Sequence, residues 1–286
     1  MALERPLIVN AALTGMVPTK ERTPHLPVTA EEIVSDAAAC AAEGAAVVHV
    51  HARGRDGRPS HRAELYAPIV EGIREAVPEL VVCVSCSGRS VSDLERRAEV
   101  LELDGRARPD MASLTLGSNN FADQASVNSP QVIRGLAERM RERGIVAELE
   151  AFEPGMVRFG RRLVDEGLLE EPCYVNLLLG GPGTSPLTAS SLAAFLAELP
   201  RDWNWALAGI GRYQLDAAAT ALALGGHVRV GLEDNIWWDR TRTGLATNPE
   251  LVGRVARLAE LLGRPAATPA QARELLRLPH AVPAGR

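Results

Sequence analysis

The chain has 286 residues, 46% of them hydrophobic and 23% charged, with a net charge of −5 and a pI near 5.8. This indicates a soluble globular protein with a large core, and the acidic balance gives no reason to expect a nucleic acid partner. The sequence shows no membrane-spanning run, no signal peptide and too few cysteines for a disulfide framework, so we expect a cytoplasmic protein with reduced cysteines.

Eight apolar runs recur along the chain, and segments of helical period lie between them. The predicted strands cover 6–13, 45–52, 80–88, 111–117, 145–152, 173–180, 204–211 and 227–234. Clear helical stretches cover 29–43, 93–103, 130–143, 187–199 and 249–263, and Thr29 with Glu32 predicts a capping box. Because no linker divides the chain, we predict a single (β/α)8 TIM barrel over 1–286; a doubly wound sheet shares this element order and stays open.

Two segments depart from a plain barrel. Residues 14–28 form a long loop after strand one, and because such loops build the catalytic face of a barrel, we expect this loop to cover the substrate. The Pro-rich segment from about 265 to 286 is predicted to be a C-terminal arm, and a neighbouring subunit is one surface on which it could pack.

Two histidines mark the end of the second predicted strand. His49 and His51 alternate with apolar residues, so both side chains share one face near the mouth of the barrel. Two adjacent imidazoles at that depth suit a divalent metal. The alternative is a pair of histidines that hydrogen-bond to neighbouring carbonyl groups.

The eighth predicted strand supplies a third ligand and an arginine. Alternation puts Arg229, Gly231 and Glu233 on one face, with Asp234 at the mouth on the other. Arg229 lies among apolar residues and needs an anion. Two histidines and a carboxylate suit zinc with an open coordination position, although solvated carboxylates at a strand end are also common.

The fifth predicted strand carries two acidic residues. Glu148 and Glu150 share one face, and inside a barrel they would need a partner such as Arg229. Cys83 and Cys86 point to opposite faces of an extended strand, which argues against a redox or zinc Cys-x-x-Cys site.

A glycine pair and an arginine follow the seventh predicted strand. Gly209, Gly211 and Arg212 suit a phosphorylated ligand, because barrels often bind phosphate after strands seven and eight. A tight turn explains the same residues. The run lacks the spacing of a dinucleotide fingerprint, so a nicotinamide cofactor is not supported.

The segments 49–53, 111–114, 148–150 and 229–234, with 24–29 near the start, together resemble the β-keto acid cleavage enzymes over nearly the whole chain. The resemblance implies a zinc-dependent barrel, usually a homotetramer. It also implies a transferase that converts a 3-keto acid and acetyl-CoA into acetoacetate and a new acyl-CoA.

The resemblance also implies roles for particular residues. Zinc would bind to His49, His51 and Glu233, and the general base would be Asp234, assisted by Arg229 and Glu150. Substrate contacts would fall at Ser85, Gly88, Ser113 and Thr115. Separately from the resemblance, the position of Gly209, Gly211 and Arg212 after strand seven leads us to expect CoA phosphate there, or otherwise at Arg53 or Arg89 near the mouth.

One position bears on the choice of substrate. A member of the family that acts on an amino-bearing substrate has a glutamate in the loop after strand one, where this chain has Val17. We therefore expect 3-keto acids with a neutral acyl chain to be preferred. Two other function classes stay open: a zinc-dependent barrel hydrolase or class II aldolase, and a non-catalytic barrel that binds metal or acyl-CoA.

Overall fold

Eight parallel strands pair in chain order and close into a barrel in the computed structural model, which describes residues 5–279. They are β1 (Val9–Ala12), β2 (Val47–Val50), β3 (Val81–Val84), β4 (Met111–Thr115), β5 (Val146–Ala151), β6 (Tyr174–Leu179), β7 (Asn204–Gly209) and β8 (His227–Val230). Because β1 pairs with both β2 and β8, the sheet has no free edge. The (β/α)8 barrel is confirmed, and the doubly wound alternative is excluded.

A helix follows each strand and returns the chain to the start of the next. These helices are α1 (Ala30–Ala42), α2 (Ala63–Ala76), α3 (Leu94–Ala98), α4 (Pro130–Glu142), α5 (Pro154–Asp165), α6 (Ala189–Glu198), α7 (Gln214–Leu224) and α8 (Asn248–Leu261). The capping box is present, since Thr29 accepts from the amide of Glu32 and the Glu32 carboxylate accepts from the amide of Thr29. Within residues 5–279, no helix has the length and apolar character needed to cross a membrane.

A ninth helix, α9 (Pro269–Leu275), closes the amino-terminal end of the barrel. The Arg273 guanidinium donates to both carboxylate oxygens of Asp110, at 2.9 and 3.0 Å, and apolar side chains of the segment join the lower core. The beginning of the predicted arm therefore packs on the barrel of its own chain. The rest of that arm, 280–286, lies outside the described residues, as do residues 1–4.

Loops and two short hairpins build the opposite, carboxyl-terminal end. The hairpins cover 52–60 and 119–126, and neither was predicted from the sequence. Arg53 donates to the carbonyls of Gly15 at 2.7 Å, Pro18 at 2.9 Å and Gly57 at 2.9 Å. The long loop after β1 is therefore tied to the strand end that carries the histidines.

A partly buried carboxylate, Asp36 on α1, makes the folding equilibrium depend on pH. Burial raises the pKa of Asp36 to about 6, although Asn248 donates a hydrogen bond to it at 2.6 Å. An unfolded aspartate titrates near pH 3.9, so the folded chain binds more protons between about pH 4 and 6 and loses stability as the pH rises through that range.

We expect Asp36→Asn to raise the free energy of unfolding near pH 7.5 by on the order of 1–2 kcal/mol, and to change it little near pH 4.5. Urea unfolding at both pH values measures this difference. Asp56→Asn, which removes an exposed carboxylate, is the control. An equal effect of Asp36→Asn at both pH values would contradict the assignment.

Candidate metal centre and active site

A cavity of about 350 Å³ opens at the carboxyl ends of the barrel strands, where (β/α)8 enzymes place their active sites. Its floor contains His51, Arg229, Glu233 and Asp234. The walls come from the loops after the strands and include Met16, Val17, Arg89, Asn119, Phe121, Gly211 and Trp237. The volume suits a small organic ligand.

Two imidazoles and one carboxylate converge on this floor. Nε2 of His49 and Nε2 of His51 are 3.2 Å apart. The carboxylate of Glu233 lies 3.3 Å from Nε2 of His51 through Oε1 and 3.8 Å from Nε2 of His49 through Oε2. The three side chains thus offer ligand atoms within 4.8 Å of one another, close enough to share one cation.

The donor set fits a divalent metal. Oε2 of Glu233 is buried and has no hydrogen-bond partner among residues 5–279, as expected of an atom whose partner is an ion. Two imidazole nitrogens with one carboxylate oxygen are a ligand set that zinc takes. His49 also forms a group with Cys83 and Glu148, but those atoms hydrogen-bond to one another and burial raises the pKa of the Cys83 thiol. The first set is therefore the candidate metal centre.

Glu148 holds His49 from below. Its Oε2 lies 2.6 Å from Nδ1 of His49, and Asn10 donates to Oε1 at 2.5 Å. Burial would lower the pKa of His49, but the carboxylates of Glu148 and Glu233 outweigh burial and raise it to about 9. A carboxylate on Nδ1 fixes the orientation of the ring and leaves Nε2 facing the cavity.

Arg229 donates hydrogen bonds to the remaining carboxylates of the floor. Its guanidinium is buried and donates to Asp234 at 3.0 Å, to Glu233 at 2.8 Å and to Glu150 at 3.3 Å. Thr115 in turn donates to Glu150 at 2.7 Å. Burial raises the pKa of Asp234 even though Arg229 pulls it down. Three carboxylates therefore supply the anionic partner that the sequence predicted for Arg229.

The carboxylates of Glu233 and Asp234 reach Arg229 from a turn. β8 ends at Val230, and the amide of Asp234 donates back to the carbonyl of Gly231 at 3.2 Å. The backbone of Gly231 passes so close to the carbonyl of Ala12 that a Cβ would overlap it. The prediction of a strand to 234, with the two carboxylates on opposite faces, was therefore wrong: the turn brings both to one guanidinium.

The residues predicted to contact substrate divide into two groups. Val17, Ser85 and Thr115 line the cavity. Ser113 is buried outside the lining, where its hydroxyl accepts from the amide of Cys86 at 3.1 Å. Gly88 also lies outside it and packs against Asn128 and Arg97.

The segment after β7 is only partly at the cavity. Gly211 lines the cavity, but its amide donates to the carbonyl of Asp234 at 2.8 Å. Gly209 packs against the backbone of Tyr213, and Arg212 lies over the ring of Tyr213, outside the lining. The structure therefore brings Gly211 to the cavity and leaves Gly209 and Arg212 outside.

Comparison with known proteins agrees with this architecture. The sequence profile of a family described as beta-keto acid cleavage enzyme matches residues 6–278. The chain is 38% identical over 274 residues to a 3-keto-5-aminohexanoate cleavage enzyme of Fusobacterium nucleatum, with 95% of this chain and 98% of that protein covered. It is 39% identical over 280 residues to a 3-oxoadipate:acetyl-CoA acetyltransferase of Cupriavidus necator, with 97% and 96% covered.

More distant similarities extend the comparison. A 3-dehydrocarnitine:acetyl-CoA trimethylamine transferase of Rhizobium meliloti is 30% identical over 297 residues, with 97% of this chain and 98% of that protein covered. The solved apo structure of ObcA superposes with a TM-score of 0.78 at 22% identity. This superposition covers 91% of this chain and 66% of ObcA, and it supports the fold alone.

Proposed function

The chain belongs to the family of beta-keto acid cleavage enzymes, and we propose that it condenses a 3-keto acid with acetyl-CoA to give acetoacetate and a new acyl-CoA. The observation that carries the proposal is the cavity floor, where His49, His51 and Glu233 stand beside an Asp234 held by Arg229. Two relatives that match over nearly their full length carry acetyl-CoA in their names, one as an acetyltransferase and one as a trimethylamine transferase, which supports the same reaction class.

The reaction exchanges acyl groups between carbon and sulfur. The carbon between the keto and carboxyl groups loses a proton and attacks the acetyl thioester, which releases the CoA thiolate. The thiolate then attacks the original keto carbon, and the carbon–carbon bond breaks. The products are acyl-CoA and the carbanion of acetoacetate, which takes back the proton.

Asp234 is the proposed base in this sequence. Its carboxylate faces the cavity, and Arg229 fixes its orientation from below at 3.0 Å. Arg229 is itself braced by Glu150, so the base is held in place before substrate binds. A positioned carboxylate can both remove the proton and return it.

The proposed metal is zinc, and His49, His51 and Glu233 would hold it. When bound, zinc would supply a Lewis acid to the keto and carboxylate oxygens of the substrate. Ser85 and Thr115 line the same cavity and are proposed to orient the substrate; Ser113 and Gly88, which lie outside the lining, are proposed to act from behind it.

A single assay tests the reaction. Acetoacetate is measured with a panel of 3-keto acids, with and without acetyl-CoA. The proposal requires that acetoacetate and the matching acyl-CoA appear together, and only when acetyl-CoA is present. Cleavage without acetyl-CoA would indicate a hydrolase or aldolase, and binding without any turnover would indicate a non-catalytic barrel.

The proposal extends to the acyl chain, for which we expect an uncharged group to be preferred to an amino-bearing one. Val17 lines the cavity and is 49% exposed, so an ammonium beside it would lose part of its hydration and gain no counter-charge. We expect kcat/KM for 3-oxohexanoate to exceed that for its 5-amino analogue by on the order of tenfold, because partial exposure reduces the full desolvation cost.

Substitution at position 17 provides the reciprocal test. Val17→Glu should shift the ratio of kcat/KM values toward the amino-bearing substrate, whereas Val17→Gln, which has the same size without the charge, should not. A preference of the unaltered enzyme for the amino-bearing acid would contradict this part of the proposal.

Three further features belong to the proposal. CoA phosphate is proposed to lie along Gly209, Gly211 and Arg212, since Gly211 borders the cavity and Arg212 stands just outside it. The family resemblance supports a homotetramer, which sedimentation velocity measures. The four cysteines are free and buried, which agrees with the cytoplasm as the proposed location.

A further inference from the structure

One wall of the cavity carries an arginine whose charge is not paired. Arg89 lines the cavity after β3, and among residues 5–279 no carboxylate lies within 4.0 Å of its guanidinium. Burial lowers the pKa of Arg89 while Glu233, Glu150 and Asp234 raise it, so the guanidinium feels the charges of the floor without touching them. Arginine stays protonated even so, and a partly buried charge of this kind favours an anionic ligand.

The neighbouring hairpin holds this arginine in place. The guanidinium carbon of Arg89 lies 3.4 Å from the centroid of the Phe121 ring, a stacked arrangement that fixes the plane of the fork. Asn119, two residues before Phe121, also lines the cavity. Both polar atoms of its side chain are buried without a hydrogen-bond partner among the described residues. This wall therefore offers a guanidinium and a carboxamide that both have unused donors.

The charges of the cavity are distributed unevenly. The floor holds one guanidinium and three carboxylates: Arg229, Glu150, Glu233 and Asp234. The walls hold three arginines and one carboxylate: Arg22, Arg89, Arg242 and Asp123. A divalent cation would balance these four floor groups that line the cavity, with Glu148 below them bound to His49, so the surplus positive charge of the lining lies on the walls.

We propose that Arg89 binds a carboxylate at the far end of the acyl chain, so that the best 3-keto acid is a dicarboxylate. The inference rests on the proposed function and extends its prediction about the acyl chain. The kcat/KM should be highest for a 3-keto acid with an acidic chain, lower for one with an uncharged chain, and lowest for one with an amino-bearing chain. The phosphates of CoA are a less suitable partner, because the long pantetheine arm separates them from the reacting thioester, whereas Arg89 lies near the floor carboxylates.

Two substrates of equal chain length test the proposal. 3-Oxoadipate differs from 3-oxohexanoate only in a second carboxylate at the end of the chain. We expect the unaltered enzyme to favour 3-oxoadipate in kcat/KM, and Arg89→Met to reduce that preference by on the order of 30-fold. Arg89→Lys keeps the charge but loses the planar fork, so it should retain part of the preference. Arg242→Met removes an exposed arginine of the same mouth and should change the ratio by less than about threefold.

Further measurements separate the possible failures. Arg212→Ala is compared in parallel, because a CoA phosphate contact raises the KM for acetyl-CoA and leaves the ratio of the two acids unchanged. If Arg89→Met raised the KM for acetyl-CoA and left the ratio of the two acids unchanged, the proposal would be overturned and Arg89 assigned to CoA. An equal loss of kcat/KM with both acids would also overturn the proposal. Calorimetry with each acid in the absence of acetyl-CoA must show tighter, Arg89-dependent binding of 3-oxoadipate. The calorimetry tests the role of Arg89 even if no acetoacetate forms. A lack of acetoacetate would refute the proposed function and leave the binding proposal to the calorimetry.

Discussion

The variant His49→Ala/His51→Ala should fold without zinc and lose acetyl-CoA-dependent turnover, whereas the unaltered protein should carry about one zinc ion per chain. The two imidazoles supply two of the three candidate ligands, and the carboxylate of Glu233 alone cannot hold the ion against buffer. We expect less than about a tenth of the zinc and a loss of turnover of at least roughly 10³-fold. Elemental analysis of protein purified without chelators and the acetoacetate assay measure both effects.

A control and a milder variant accompany this experiment. His61→Ala removes an imidazole outside the floor and should keep both zinc and activity. His51→Ala alone leaves the His49–Glu148 pair intact, so it tests metal binding even if the double variant unfolds. Full zinc occupancy in a folded double variant would refute the assigned ligands.

Asp234→Asn should keep the fold and the zinc but lower kcat by on the order of 10²–10⁴-fold. The amide still offers an oxygen to Arg229, whose Nε lies 3.0 Å from the present carboxylate, but it cannot accept a proton from carbon. Proton exchange gives a second readout. In D2O without acetyl-CoA, the unaltered enzyme should speed deuterium uptake at C2 of the keto acid, and the variant should not.

Asp123→Asn is the matched control, because Asp123 borders the same cavity but is exposed and lies off the floor. Its kcat should stay within about twofold of the unaltered value. A normal kcat or normal exchange in Asp234→Asn would remove Asp234 from the mechanism.

The barrel and the core of its floor could be predicted because they depend on strand periodicity. Near-continuous apolar runs located every strand, and period-two alternation turned His49, His51 and Glu148 inward. The capping box at Thr29 was equally local, since it depends on two residues only three positions apart.

What could not be predicted depends on contacts between distant segments. Asn10 and Cys83 both support Glu148, but only closure of the barrel brings β1, β3 and β5 to that carboxylate. The turn after β8 overrode strand alternation, because the amides of Asp234 and Asn235 donate back to the carbonyl of Gly231.

The hairpins beside the mouth gave no pattern long enough to recognise. The hairpin over 119–126 pairs only two residues on each side, and its polar sequence looks like any loop. Sequence alone therefore suggested Arg89 only as an alternative phosphate contact, because its stacking on Phe121 depends on that hairpin.

Glu148 joins the two halves of the floor. Its Oε2 lies 2.6 Å from His49, in the metal half, and 4.0 Å from Arg229, which orients the base. Substitutions in the two halves should therefore be non-additive, since each alters a neighbour of the same buried carboxylate. Among residues 5–279, no wall residue forms a hydrogen bond or ion pair with Glu148, so an evolving or engineered enzyme can exchange wall residues to change its substrate while the chemistry of the floor is inherited intact.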